Sequence, residues 1–251
     1  MRYKRKKSYW QQDIRRKDYI VGTLKGLLLI ITISYLFYGS ILSAILLSPY
    51  LIWYLKSWEK ECIKKKKQAL GLQFKEAIQA LSTALNVGYS LENAMKETMK
   101  DLQLIYKKDE LILREFRYML HQLEMNLPVE RVLNEFALRT EVEDIQTFVT
   151  VFGMAKRSGG DMIGIIGNAV RQISEKIEVK LEIETILSAK RLEFKVMSVV
   201  PLAMIAYMKI SFPDFMNVLY GNATGYVIMT VCLGIYVISY VAGKRMIEIE
   251  V

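Results

Sequence analysis

Residues 20–55 read IVGTLKGLLLIITISYLFYGSILSAILLSPYLIWYL, and Lys25 is the single charged side chain among them. At about 1.5 Å of rise per residue one helix of this length would reach about 54 Å, nearly twice a hydrocarbon core of about 30 Å. The block must therefore turn back. Tyr38-Gly39-Ser40 marks the turn, which predicts a span over about 20–37 and a second over about 41–55. Pro49 is expected to kink the second, and Lys25 can snorkel to the headgroups. A second apolar region, 196–242, is interrupted by Lys209, Phe212-Pro213-Asp214 and Gly221-Asn222. It predicts spans over about 196–212 and 225–242, joined by a short polar loop. Tyr19, Trp53, Tyr54, Trp58 and Tyr240 stand near the span ends, where amphipathic rings favour the interface. The expectation is an all-α integral membrane protein with four transmembrane helices.

The net charge of +9 is placed accordingly. Residues 1–19 hold eight Lys/Arg against Asp13 and Asp18, whereas residues 56–195 are nearly balanced, with 23 basic and 21 acidic side chains. A nucleic-acid footprint needs a basic stripe on a folded face, so nucleic acid is not an expected partner. Basic residues instead flank the apolar blocks: the first segment, then Lys56, Lys60 and Lys64 to Lys67, then Lys244 and Arg245. The two hairpin tips hold only Lys209. Lys/Arg asymmetry sets orientation. It predicts a cytoplasmic N-terminal segment (1–19), a cytoplasmic domain (56–195) and a cytoplasmic tail (243–251) around the two hairpins. Cys62 and Cys232 fall in different compartments of this scheme, so no disulfide is expected.

Within 72–195 a turn motif recurs. Leu81, Ala84 and Leu85 lead to Gly88-Tyr89-Ser90-Leu91: a helix, a glycine stop and a serine N-cap. Thirty-eight residues on, Met119, Gln122 and Leu123 lead to Asn126-Leu127-Pro128-Val129-Glu130, with Asn in place of Gly and Pro in the first helical turn. A third copy runs from Phe152, Ala155 and Lys156 to Ser158-Gly159-Gly160-Asp161, with Asp161 as the cap. Thr140-Glu141-Val142-Glu143 has the form of a capping box. The pattern predicts three helix–turn–helix units, a six-helix bundle over about 72–87, 90–103, 109–124, 128–138, 141–157 and 161–195. The last helix keeps an apolar stripe through Ile165, Ala169, Ile173, Ile177 and Leu181. It is expected to run on into the third span.

No residue set stands out as catalytic. His121, the one histidine, has no Cys or His at metal spacing. The chain has no phosphate loop, dinucleotide fingerprint or nucleophile elbow. Gly159-Gly160 reads as a helix stop, because Asp161 beside it would repel an anion. Glu141, Glu143 and Asp144 favour the positive end of a helix, with a divalent-cation site or a partner contact as the alternatives. No cofactor or metal is expected, and the chain is not expected to be an enzyme.

Several of these residues also carry a resemblance. Gly88, Ser90, Leu91 and Ala94, after Phe74, Ala77 and Leu81, resemble the opening motif of the type II secretion system F domain. Pro128-Val129-Glu130-Arg131, then Arg139 and Asp144, resemble its middle section. Gly159, Gly160 and Asp161, followed by a long helix with Arg191 and then Pro201, resemble its end. The likeness covers about residues 72–201. One copy between two pairs of spans is similar to the B-type platform proteins of tight-adherence (Tad) pilus machines, and Asn126 departs from the glycine usual at the second turn. The resemblance implies a platform in a bacterial cytoplasmic membrane, oligomeric and without cofactor. Its implied partners are a hexameric secretion ATPase, a related C-type platform protein, pilin-like subunits and the lipid bilayer. A four-span signalling or transport protein with a helical cytoplasmic domain is the alternative.

Overall fold

The computed structural model describes residues 9–10, 16–40, 43, 48–158 and 161–247. Among these the regular structure is all helical, with no strand. The helices are α1 (Arg16–Tyr38), α2 (Ser48–Val87), α3 (Leu91–Ile105), α4 (Leu111–Glu124), α5 (Val129–Thr140), α6 (Glu143–Ser158), α7 (Met162–Ser211), α8 (Pro213–Gly221) and α9 (Ala223–Ile247). Two compact units result: Met1–Asp13 with Glu61–Lys180, and Ile14–Lys60 with Leu181–Val251.

The first unit is a bundle around one core. Phe74, Phe136, Phe148 and Phe152 are fully buried there, with Leu70, Ile78, Met95, Leu102, Ile112, Met119 and Ile145. Its turns are built as chain termini demand. Past α2, Gly88 takes φ +98°, its amide bonds to the Leu85 carbonyl at 3.0 Å, and the Tyr89 amide bonds to Ala84 at 3.2 Å. Past α4, Asn126 takes φ +59°, with the same two bonds from Asn126 to Leu123 (2.9 Å) and from Leu127 to Gln122 (3.2 Å). Both are Schellman closures, which need a left-handed residue that Gly accepts freely and Asn tolerates. The third copy's Gly159 and Gly160 lie outside the described residues.

Three sequence expectations change. The first bundle helix was expected from residue 72, but α2 starts at Ser48, because Lys64–Lys67 are good helix formers and Glu61 pairs with Lys65 at i,i+4. Thr140-Glu141-Val142-Glu143 is not a capping box: the Thr140 hydroxyl donates back to the Phe136 carbonyl at 2.9 Å. Glu141 then takes φ +51° and its amide bonds to Ala137 at 3.0 Å, ending α5. The expected polar loop after residue 212 is largely α8, which starts on Pro213 with Asp214 in its first turn.

In the second unit, α1, α7 and α9 each carry an apolar stretch long enough to cross a membrane. The expected span over 41–55 falls largely outside the described residues, and Pro49 stands in the first turn of α2. Gly39 closes α1 with φ +64°, and the Tyr220 ring lies against it, where a side chain would strain both backbone and contact. Leu36, Phe37, Tyr38, Met229 and Leu233 form a small core, beside which the Tyr220 hydroxyl donates to the Leu36 carbonyl. Pro201 sits inside α7 and leaves the Met197 carbonyl without its usual amide. One residue on, the Tyr236 hydroxyl donates to the Ser198 carbonyl at 2.8 Å.

Candidate functional site

The polar groups of the first unit gather around the α5–α6 turn. On α4 the positions 112, 115, 116, 119 and 122 share the face turned to the core, which buries Glu115 and Gln122 among Ile112, Phe116 and Met119. A buried carboxylate needs a charged or donating partner. Glu115 has two: Arg139 donates to its Oε2 at 2.5 Å, and the Tyr9 hydroxyl donates to its Oε1. The Arg139 guanidinium also lies over the Tyr118 ring, 4.7 Å from the centroid. Burial, and then the hydrogen bond to Glu115, push the Tyr9 phenol up to about 12. Gln122 donates to Glu135 at 2.9 Å, a bond that holds the Glu135 carboxyl below the usual carboxylate range.

A second cluster opens α6. Asp144, buried, lies 3.0 Å from the Lys176 ammonium and 3.7 Å from that of Lys180, both on α7. Lys176 also donates to Glu143 at 2.9 Å. This hydrogen bond lowers the Glu143 carboxyl and raises the Lys176 ammonium. Lys156 does the same for Glu130, lowering it through their ion pair. Lys67 donates to the Glu141 carbonyl and pairs with its carboxylate, both at 3.3 Å.

The residues singled out in the sequence divide between two roles. Gly88, Ser90, Pro128 and Asp161 shape helix ends: Ser90 accepts from the Asn93 amide (3.4 Å), Pro128 is the residue before α5, and Asp161 accepts from the Gly164 amide (2.9 Å). Leu91 packs against the core and Ala94 is buried in it. Arg139 and Asp144 are the two charged centres, one at each side of the turn, while Pro201 belongs to the second unit. His121 is exposed, 3.6 Å from Glu124. Among the described residues no three His, Cys, Asp or Glu side chains are grouped to hold a metal. Glu141, Glu143 and Asp144 instead face lysines, in ion pairs that tie the α5–α6 turn to α2 and α7.

Sequence reasoning missed Glu115, Lys176, Lys180, Tyr9 and Trp10. Glu115 was findable, since it interrupts the apolar face of α4. Trp10 was not, because nothing local to a basic segment indicates burial. Compared with known family models, with characterised proteins and with solved structures, the chain shows no match.

Proposed function

We propose that this protein is a platform of a Tad-type pilus or a type II secretion-like machine, in a bacterial cytoplasmic membrane, coupling a hexameric secretion ATPase to pilin-like subunits. The observation that supports it is α7, a single helix of 50 residues, about 75 Å at the usual rise. Its first part packs Ile166, Val170, Ile173 and Ile177 into the bundle core, and its last part is an apolar stretch of membrane-crossing length. A continuous helix transmits a push or a rotation that a flexible linker would dissipate.

In this reading four spans (20–37, 41–55, 196–212 and 225–242) leave both termini and the six-helix bundle of 56–195 in the cytoplasm. The bundle engages the ATPase, the C-type platform protein pairs in the membrane, and the chain itself needs no cofactor and performs no catalysis. Reporters at Tyr3, Gln103 and Glu250 are expected to face the cytoplasm, and those at Gly39 and Asn222 the outside. A reporter at Gln103 found outside would end this topology.

The decisive experiment is a proline in α7. Glu182 is exposed, so Glu182→Pro acts through the backbone alone, removing a helix bond at about 3 kcal/mol. Pilus assembly or export is expected to fail while membrane level and ATPase capture persist, and Glu182→Gln is expected to behave as the parent. Normal assembly by Glu182→Pro would refute the mechanical role. Capture from native membranes that brings down no ATPase would refute the platform reading.

A further inference from the structure

Two aromatic side chains of the basic N-terminal segment are held by the bundle. Trp10 is 1% exposed, and its indole Nε1–H donates to the Thr140 carbonyl at 2.8 Å, across 130 residues of sequence. Thr140 is the last residue of α5, where carbonyls lose their intrahelical partners. Trp10 thus caps a helix end that the local sequence leaves open. Tyr9 packs edge-on against it, ring centroids 5.3 Å apart, and donates to Glu115 across 106 residues. The Lys67 ammonium lies 5.9 Å from the centre of the indole.

The charged groups these rings meet are also held by the bundle itself. Arg139 fixes the Glu115 carboxylate and Glu141 fixes Lys67, while the Thr140 hydroxyl is held by the Phe136 carbonyl, leaving the Thr140 carbonyl to the indole. The site is thus built from the bundle's own elements, a preorganisation that favours binding. Trp and Tyr seated in desolvated pockets are also the usual anchors of binding surfaces.

We propose that the first unit carries a docking site for an aromatic strap, formed by Lys67, Glu115, Arg139 and Thr140 and occupied by Tyr9–Trp10 of the same chain. The strap fastens Tyr9 and Trp10 to the bundle and completes the α5 terminus. This inference is independent of the platform reading, because it concerns contacts within the bundle unit alone.

The test uses the full-length chain in detergent with both anchors removed, Tyr9→Ala/Trp10→Ala, and a fluorescent peptide of residues 3–13 as the probe. Anisotropy is expected to show saturable binding to the emptied chain. Binding to the parent is expected to be at least about tenfold weaker, since a tethered strap competes at a millimolar effective concentration. A peptide carrying Trp10→Ala is expected to lose at least about tenfold in affinity for the emptied chain, as an aromatic anchor should. Equal binding to both chains, no binding to the emptied chain, or undiminished binding of the Trp10→Ala peptide would each overturn the proposal. The last outcome would mean that basic charge alone drives association. A second measurement needs no emptied chain. With Trp53→Phe and Trp58→Phe, Trp10 is the sole emitter, and acrylamide should quench it several-fold less in the folded chain than in guanidinium. Tyr9→Ala should raise that quenching. Quenching as free as in guanidinium would overturn the docking site.

Discussion

In the bundle unit Phe74, Phe136 and Phe148 are at most 2% exposed, whereas in the other unit Leu24, Leu28, Met204 and Ile210 are 66% to 82% exposed. The residue types are alike and the placement is opposite. Helices of the bundle keep one apolar stripe, as α4 does with Ile112, Phe116 and Met119, and face water elsewhere. The apolar stretch of α7 has no residue buried, and most residues of those in α1 and α9 are not buried either. So much exposed apolar surface would aggregate in water and is ordinary in lipid. Polar groups differ less, apart from ion pairs. In the membrane-length helices the hydroxyls of Thr23, Thr32, Ser198 and Thr230 bond back to carbonyls of their own helix. In the bundle Thr98 and Thr140 bond back in the same way, and ion pairs join helices besides, as Lys75 does with Glu178 and Lys156 with Glu130.

This contrast breaks most easily in the bundle core. Phe136→Ala is expected to destabilise the unit by about 4 kcal/mol, read as a lowered denaturant midpoint. The matching change in the other unit is Met204→Asp, on an exposed side chain in the apolar stretch of α7. There the folded contacts lose little, but insertion is expected to cost about 3 kcal/mol. Carbonate extraction measures it as loss from the membrane pellet, and an unchanged pellet would mean that this surface does not face lipid.

Arg139→Ala leaves Glu115 buried with the Tyr9 hydroxyl as its remaining partner, and is expected to cost about 3 kcal/mol. Arg139→Lys should recover part of it, since a lysine restores the charge without the fork. The turns come next. Gly88→Ala forces a Cβ into φ +98° and is expected to cost about 1 kcal/mol, with no steric addition because no other atom lies within 4 Å. Asn126→Gly is expected to cost nothing measurable by the same melt. The smallest effect is that of pH. Glu130, Glu135 and Glu143 have lowered carboxyls, so the stability they lend is complete above the ordinary carboxylate pKa of about 4.3 and fades as pH falls below it. Lys176 is raised, so its share persists to the ordinary lysine range and is lost above it. All four lie at or near the surface, and an acid titration should show only a shallow loss, weaker still in high salt.

The helix starts and stops of the bundle were readable from short-range chemistry. Ser90 and Asp161 cap as their side chains predict, and Asn126 takes the left-handed turn that its likeness to the Gly88 copy implied. The readings that failed were those that ended a helix at a polar stretch. Lys64–Lys67 and the segment after Pro213 are helical, because charge and turn residues do not break a helix when nothing opposes its backbone bonds. Thr140 misled for a related reason: its hydroxyl bonded the turn behind it instead of the helix ahead.

Composition and periodicity alone determined that this chain is helical and where its long apolar stretches lie, since those depend on neighbours within a few turns. They also located the turns at Gly88 and Asn126. Only the tertiary structure decided that Glu115 is paired with Arg139, that Asp144 meets Lys176 and Lys180, and that Trp10 closes the end of α5. Those contacts join residues tens to more than a hundred positions apart, and a charge or an indole has no local signature of a partner so distant. Their geometry exists only once the helices have packed.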